Sequence, residues 1–146
     1  MKKQIDVKTL FIRFAYWLGA IMDLLVAGSM FLYVFFELNI GMGFPVATVE
    51  TKFMLIAGMA LMIGWTVLLI WGDRKPIERR HILLITAFPV VFIYLLGELI
   101  VYLLGESIQT LNELILFQII RSVLIIIFVI AFILAEKQHR KKKDSQ

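Results

Sequence analysis

The chain has 146 residues, a formal net charge of +4 and no cysteine; 61% of its residues are hydrophobic and 18% are charged. An ordinary soluble domain is about 45–50% apolar and about 25% charged, and a small domain cannot bury such an apolar excess. The excess must therefore face lipid, and we expect no separate soluble catalytic domain. The absence of cysteine excludes disulfides, thiolate metal sites and thiol redox chemistry.

Four apolar runs are long enough to cross a bilayer, which needs about 20 residues. They cover residues 14–36, 53–71, 82–104 and 111–135, and none has the alternating polarity of a barrel strand. The first run exceeds the apolar core of a signal peptide, so we interpret it as a retained span. The sequence predicts an all-α fold. It consists of a single integral membrane domain at 1–146, a transmembrane four-helix bundle with a basic tail at 136–146.

Local signals mark the second and third helices. Thr48 or Thr51 can cap the start of the second helix. Gly72 is expected to be the glycine that ends it. Pro89 lies inside the third run and should kink that helix, which membrane helices tolerate when neighbouring groups satisfy the freed carbonyl.

The lysines and arginines are distributed so unevenly that they predict an orientation. All but two of the 15 lie in the N-terminal segment, the loop between the second and third runs, or the C-terminal tail. By the positive-inside rule these three segments are cytoplasmic, and an even number of spans also requires both termini on one side. Short loops favour neighbouring helices of opposite direction. We therefore expect up-down topology, with both termini cytoplasmic, in the plasma (inner) membrane.

Charged side chains within the spans are the strongest functional signal, because each is costly in hydrocarbon. Asp23, Glu98 and Arg121 are expected at similar depths, with Tyr94 one turn from Glu98 and Gln118 one turn from Arg121. We predict that these five side chains form an intramembrane polar centre. The centre is an internal ion pair that fixes helix packing, a binding or proton-relay site, or a contact for a span of another protein.

Basic residues near the cytoplasmic surface are candidates for binding lipid headgroups or a partner protein. The alternative is that they only set topology and are solvated. These candidates are Arg74, Lys75, Arg79, Arg80, Lys141, Lys142 and Lys143. The net positive charge is attributed to the membrane, and no nucleic acid partner is expected.

No catalytic motif, phosphate-binding loop or metal-ligand cluster is recognisable, and no cofactor is expected. Two functions remain level: a small transporter- or channel-type subunit with a polar intramembrane site, and a non-catalytic membrane partner or regulatory subunit with structural buried charges. A lipid- or quinone-modifying enzyme, using Asp23 or Glu98 for acid–base chemistry, is less favoured. The expected partners are the lipid bilayer and either a homo-oligomer or a larger membrane complex.

Two segments of the sequence are distinctive, RFAYWLGAIMD (Arg13 to Asp23) and GWTVLLIWGDRKPIERRHILLITAFPVV (Gly64 to Val91). On these segments the chain resembles a family of small, uncharacterised four-span prokaryotic integral membrane proteins. The resemblance implies the four-span fold and a prokaryotic plasma membrane, and it implies no activity.

Overall fold

The computed structural model describes residues 6–38, 48–105 and 110–144. All regular structure in these ranges is helical, and four helices are long and apolar enough to cross a membrane, as predicted. They are α1 (Val7–Phe36), α2 (Val49–Asp73), α3 (His81–Leu103) and α4 (Leu111–Asp144). This architecture is that of a multi-pass helical membrane protein.

Side-chain caps set where the first two helices begin. The Asp6 carboxylate accepts the backbone N–H of Lys8 at 3.3 Å, so α1 begins about two turns before the first apolar run. The Thr48 hydroxyl accepts the N–H of Thr51 at 3.2 Å, which confirms Thr48 as the cap of α2. The expectation for Gly72 is wrong, because α2 continues through it to Asp73.

The disturbance expected at Pro89 takes the form of a π-helical segment, Thr86–Phe92, within α3. Proline has no N–H to donate, and a wider turn is one way for a helix to accommodate the missing bond. Thr86 ties this segment to α2. Its hydroxyl donates to the carbonyl of Ile82 at 2.8 Å and accepts from the indole N–H of Trp65 at 3.1 Å.

The apolar core is concentrated in one half of the bundle. Each helix contributes a side chain that is at most 1% exposed: Tyr16 in α1, Leu69 in α2, Leu83 in α3 and Phe128 in α4. By contrast, the second half of α3, Ile93–Leu103, has no buried residue, and its principal neighbour outside α3 is α4. The bundle is therefore densely packed around the core and open along the second half of α3.

The last helix is longer than a membrane requires. Its 34 residues span about 51 Å, whereas the hydrocarbon layer is about 30 Å thick. The basic segment predicted as a tail after residue 135 is helical as far as Asp144. Lys141, Lys142 and Lys143 are exposed on its last turn.

Candidate functional site

The intramembrane arginine binds one of the two intramembrane carboxylates. Arg121 of α4 donates a guanidinium N–H to the Glu98 carboxylate of α3. The two side chains are only 15% and 11% exposed. Gln118 donates to the carbonyl of Leu95 at 3.1 Å and to the Glu98 carboxylate at 3.4 Å. A buried charge pair with added hydrogen bonds on one carboxylate is a well-matched arrangement for a dry environment.

An aromatic ring completes the surroundings of Arg121. The guanidinium carbon lies 4.4 Å from the centroid of the Tyr94 ring and 5.6 Å from that of Phe117. These distances allow a cation–π interaction. Tyr94 is 58% exposed, so the ring covers the charge on the open side of α3. Four of the five residues expected in the polar centre, Tyr94, Glu98, Gln118 and Arg121, thus lie together.

The fifth residue, Asp23, is not bonded to any of these four residues. Among the described residues it forms no ion pair, and its Oδ2 atom is buried without a hydrogen-bond partner. A buried polar atom without a partner is costly, and an ionised carboxylate without one is costlier still. Among the described residues of the spans, Asp23 is therefore the one with a buried side-chain oxygen that lacks a hydrogen-bond partner.

A second polar network lies at one end of the bundle, and we name it the basic-end network. Arg13 donates from Nε and Nη2 to the two oxygens of Asp73, at 2.8 and 2.9 Å, and the Trp17 indole donates to the same carboxylate at 3.2 Å. Arg80 pairs with Glu136, which also accepts from Arg140 at 2.8 Å. These bonds join α1 to α2 and the start of α3 to α4.

Sequence reasoning missed this network because it treated the charges near the helix ends as topology signals. Asp73 and Glu136 are among the acidic residues that stand beside basic clusters, and this was the available signal. An acid in a strongly basic segment near the membrane surface has cations within reach. Such an acid is better interpreted as a structural partner than as an exception to the charge bias.

The seven basic residues predicted to meet headgroups or a partner fall into different environments. Arg80 is buried against Glu136, and Arg79 lies over the Trp71 ring and donates to the Trp71 carbonyl. Lys75 pairs with Glu78 at 3.1 Å, and this hydrogen bond holds the pKa of Glu78 below its usual value. Arg74 is exposed, as are the three lysines at the end of α4. The role of these residues stays a prediction.

No group of three or more potential metal ligands occurs in the parts of the chain that the structure describes.

No protein-family model matches the chain, and neither a curated protein nor a solved structure shows significant similarity to it. The candidate site is therefore argued from its own geometry.

Proposed function

We propose that this chain is a small transporter- or channel-type membrane protein in which Asp23 is the proton-binding group. The observation that carries the proposal is that a buried oxygen of Asp23 has no hydrogen-bond partner among the described residues. Arg121, the arginine within the spans, cannot serve as that partner because it is already bound to Glu98. An ionised carboxylate in the middle of a span costs about 2.5–3.5 kcal/mol on insertion scales. Uptake of a proton removes that cost, so Asp23 is suited to exchange protons during transport.

The helix contacts support an up-down topology. Arg13, near the start of α1, binds Asp73, at the end of α2, whereas Glu37, just after α1, binds Lys52 in the first turn of α2. Such pairs at both ends of two helices are expected when the helices run in opposite directions. The positive-inside rule then favours cytoplasmic termini and the plasma (inner) membrane.

A route to Asp23 is favoured on the side where the bundle is open. The core fills the half that adjoins the basic-end network, and the second half of α3 lacks buried residues. Water or a small solute would therefore approach from the opposite end. Because four helices enclose little volume, we expect a homo-oligomer or a larger complex to complete the path.

The test is water access to the polar residues, measured with single cysteines in this naturally cysteine-free chain. We would place cysteine at Ala27, one turn from Asp23, and at Gln118, one turn from Arg121, and label intact cells and inside-out vesicles with a membrane-impermeant thiol reagent. Leu24→Cys, at an exposed apolar position beside Asp23, is the matched lipid-facing control. Lys143→Cys reports sidedness.

Labelling of Ala27→Cys, with no labelling of Leu24→Cys, is the expected result, and labelling of Gln118→Cys would show that the water path extends to the Glu98–Arg121 pair. Proteoliposomes with an internal pH dye then give a second measurement: Asp23→Asn should abolish proton flux, whereas Asp23→Glu should retain part of it. Protection of Ala27→Cys from both sides would overturn the proposal, whatever the labelling of Gln118→Cys.

The second candidate is a non-catalytic partner or regulatory subunit. It is favoured by the Glu98–Arg121 pair, because a carboxylate and a guanidinium that satisfy each other serve as a structural link between helices. This candidate requires dry packing around both charges and stable association with a larger membrane complex. The same labelling experiment separates it from transport.

A further inference from the structure

The side of Arg13 that faces away from Asp73 is open. A guanidinium has five N–H donors, and two of those in Arg13 are directed at the Asp73 carboxylate. Three donors remain, on a side chain that is 47% exposed. Asp73 itself is only 8% exposed, so its negative charge is hidden beneath the guanidinium that it orients. The outer surface of this pair therefore presents fixed N–H donors to an incoming anion.

An apolar groove adjoins those donors on the same helix. It has a volume of about 650 Å³, and its lining residues are Val7, Leu10, Phe11, Arg13, Phe14 and Trp17. Leu10, Phe14 and Trp17 are each 47–59% exposed, and they are spaced by three or four residues, which places them on one face of α1. The groove thus combines an apolar floor with a cationic rim.

A second cation lies one residue beyond Asp73 in the chain. Arg74 directly follows Asp73 in the chain, so its Cα lies about 3.8 Å from that of the residue that binds Arg13. It is exposed, and its side chain forms no hydrogen bond or ion pair among the described residues, although its backbone N–H donates to the carbonyl of Gly72. Its basic neighbours are engaged elsewhere: Lys75 with Glu78, Arg79 with Trp71 and Arg80 with Glu136. Arg74 is the residue of this loop that is available for a ligand.

We propose that Arg13 and Arg74 form a binding site for one anionic phospholipid, with the phosphate on the two guanidinium groups and an acyl chain along Phe14 and Trp17. Arginine suits phosphate because its N–H fork matches two phosphate oxygens. The indole of Trp17 lies at the rim, as is typical of tryptophan at a membrane interface. Charge and apolar surface are both required, so the occupant is a lipid and not a free phosphate ion.

The test uses the purified full-length protein in detergent micelles and measures lipid binding by native mass spectrometry. Dioleoyl phosphatidylglycerol is the probe, and dioleoyl phosphatidylcholine and glycerol phosphate are the controls. We expect phosphatidylglycerol to bind in preference to phosphatidylcholine. Glycerol phosphate should neither bind measurably nor compete. Arg74→Gln should weaken phosphatidylglycerol binding about fivefold, which corresponds to the roughly 1 kcal/mol that one basic residue contributes near anionic lipid.

Lys75→Gln is the matched control, because it removes the same charge one residue away from a side chain already paired with Glu78. It should leave binding unchanged, and Arg74→Lys should retain part of it. Equal losses in Arg74→Gln and Lys75→Gln would mean general attraction to a basic surface and would overturn the site. Equal binding of both phospholipids, or competition by glycerol phosphate, would also overturn it.

Discussion

Tyr16 of α1 packs directly on Gly72 of α2. A Cβ atom at residue 72 would clash with Cε1 of the Tyr16 ring, so no larger residue fits there unless that ring moves. The ring is 1% exposed, and its hydroxyl donates to the carbonyl of Arg79 at 2.9 Å. Gly72 therefore lets one aromatic side chain fill the core and also hold the loop between α2 and α3.

Gly72→Ala should destabilise the protein by about 1–3 kcal/mol, the usual cost of overpacking a well-filled core. The Tyr16 ring would have to move, and its hydrogen bond to the carbonyl of Arg79 would be weakened or lost. The measurement is the free energy of unfolding in mixed micelles titrated with dodecyl sulfate. Gly64→Ala is the control, since nothing lies within 4 Å of a Cβ at that position. Equal stability of the two variants would contradict the close approach of Tyr16.

The Glu98–Arg121 pair should be more costly to break than to replace. Removal of one partner leaves an uncompensated buried charge, so Arg121→Gln should destabilise the protein by about 3–5 kcal/mol. The double variant Glu98→Gln/Arg121→Gln should recover a large part of that loss, because two neutral amides can bond to each other. The same unfolding titration measures this double-mutant cycle. A double variant as unstable as Arg121→Gln would show that the charges do not act as a pair.

The ion pair between Glu37 and Lys52, which joins the end of α1 to the start of α2, should make stability depend on pH. Lys52 donates to Glu37 at 2.7 Å, and this hydrogen bond lowers the pKa of Glu37 below its ordinary 4.5. Because the folded-state pKa is lowered, the contribution is present above pH 4.5 and is lost as the pH falls through the folded value. Lys52→Gln should thus lower the Tm at neutral pH, and the difference from wild type should vanish in strong acid. A difference independent of pH would show that Lys52 acts through packing.

An ion pair between Arg121 and one of the two carboxylates was predictable, but which carboxylate it binds was not. Counting residues puts Asp23, Glu98 and Arg121 at similar levels, and either carboxylate then satisfies the requirement for an ion pair. The choice depends on how each helix is rotated about its axis. In α3 that rotation is set partly by the π-helical segment, which a regular 3.6-residue period does not anticipate.

The four spans and the cap at Thr48 were predictable because each depends on residues close together in the chain. The basic-end network was not, because its bonds join distant residues. Arg13 and Asp73 are 60 positions apart, and Arg80 and Glu136 are 56 apart. In the sequence, the uneven distribution of lysine and arginine that predicts orientation obscures these two pairs. Only the packed helices bring each acid to its arginine.

The π-helical segment should control whether Glu98 faces α4. A π-helical turn contains more residues than an α-helical one, so conversion of Thr86–Phe92 to regular α-helix changes the rotation of all that follows. One residue corresponds to about 100° around the axis. Pro89→Ala restores the missing N–H and should favour that conversion. Glu98 would then turn away from Arg121, and the pair would be lost.

Cross-linking of introduced cysteines reports this rotation directly. Gln118 donates to the carbonyl of Leu95, so the pair Leu95→Cys/Gln118→Cys should cross-link readily in the otherwise unchanged chain and poorly with Pro89→Ala. The control pair is His81→Cys/Phe132→Cys, whose native rings are 5.7 Å apart on the other side of the π-helical segment. It should cross-link equally in both backgrounds. If Pro89→Ala leaves both pairs unchanged, the rotation of α3 is held by other contacts, among which the Trp65–Thr86 hydrogen bond is the first to examine.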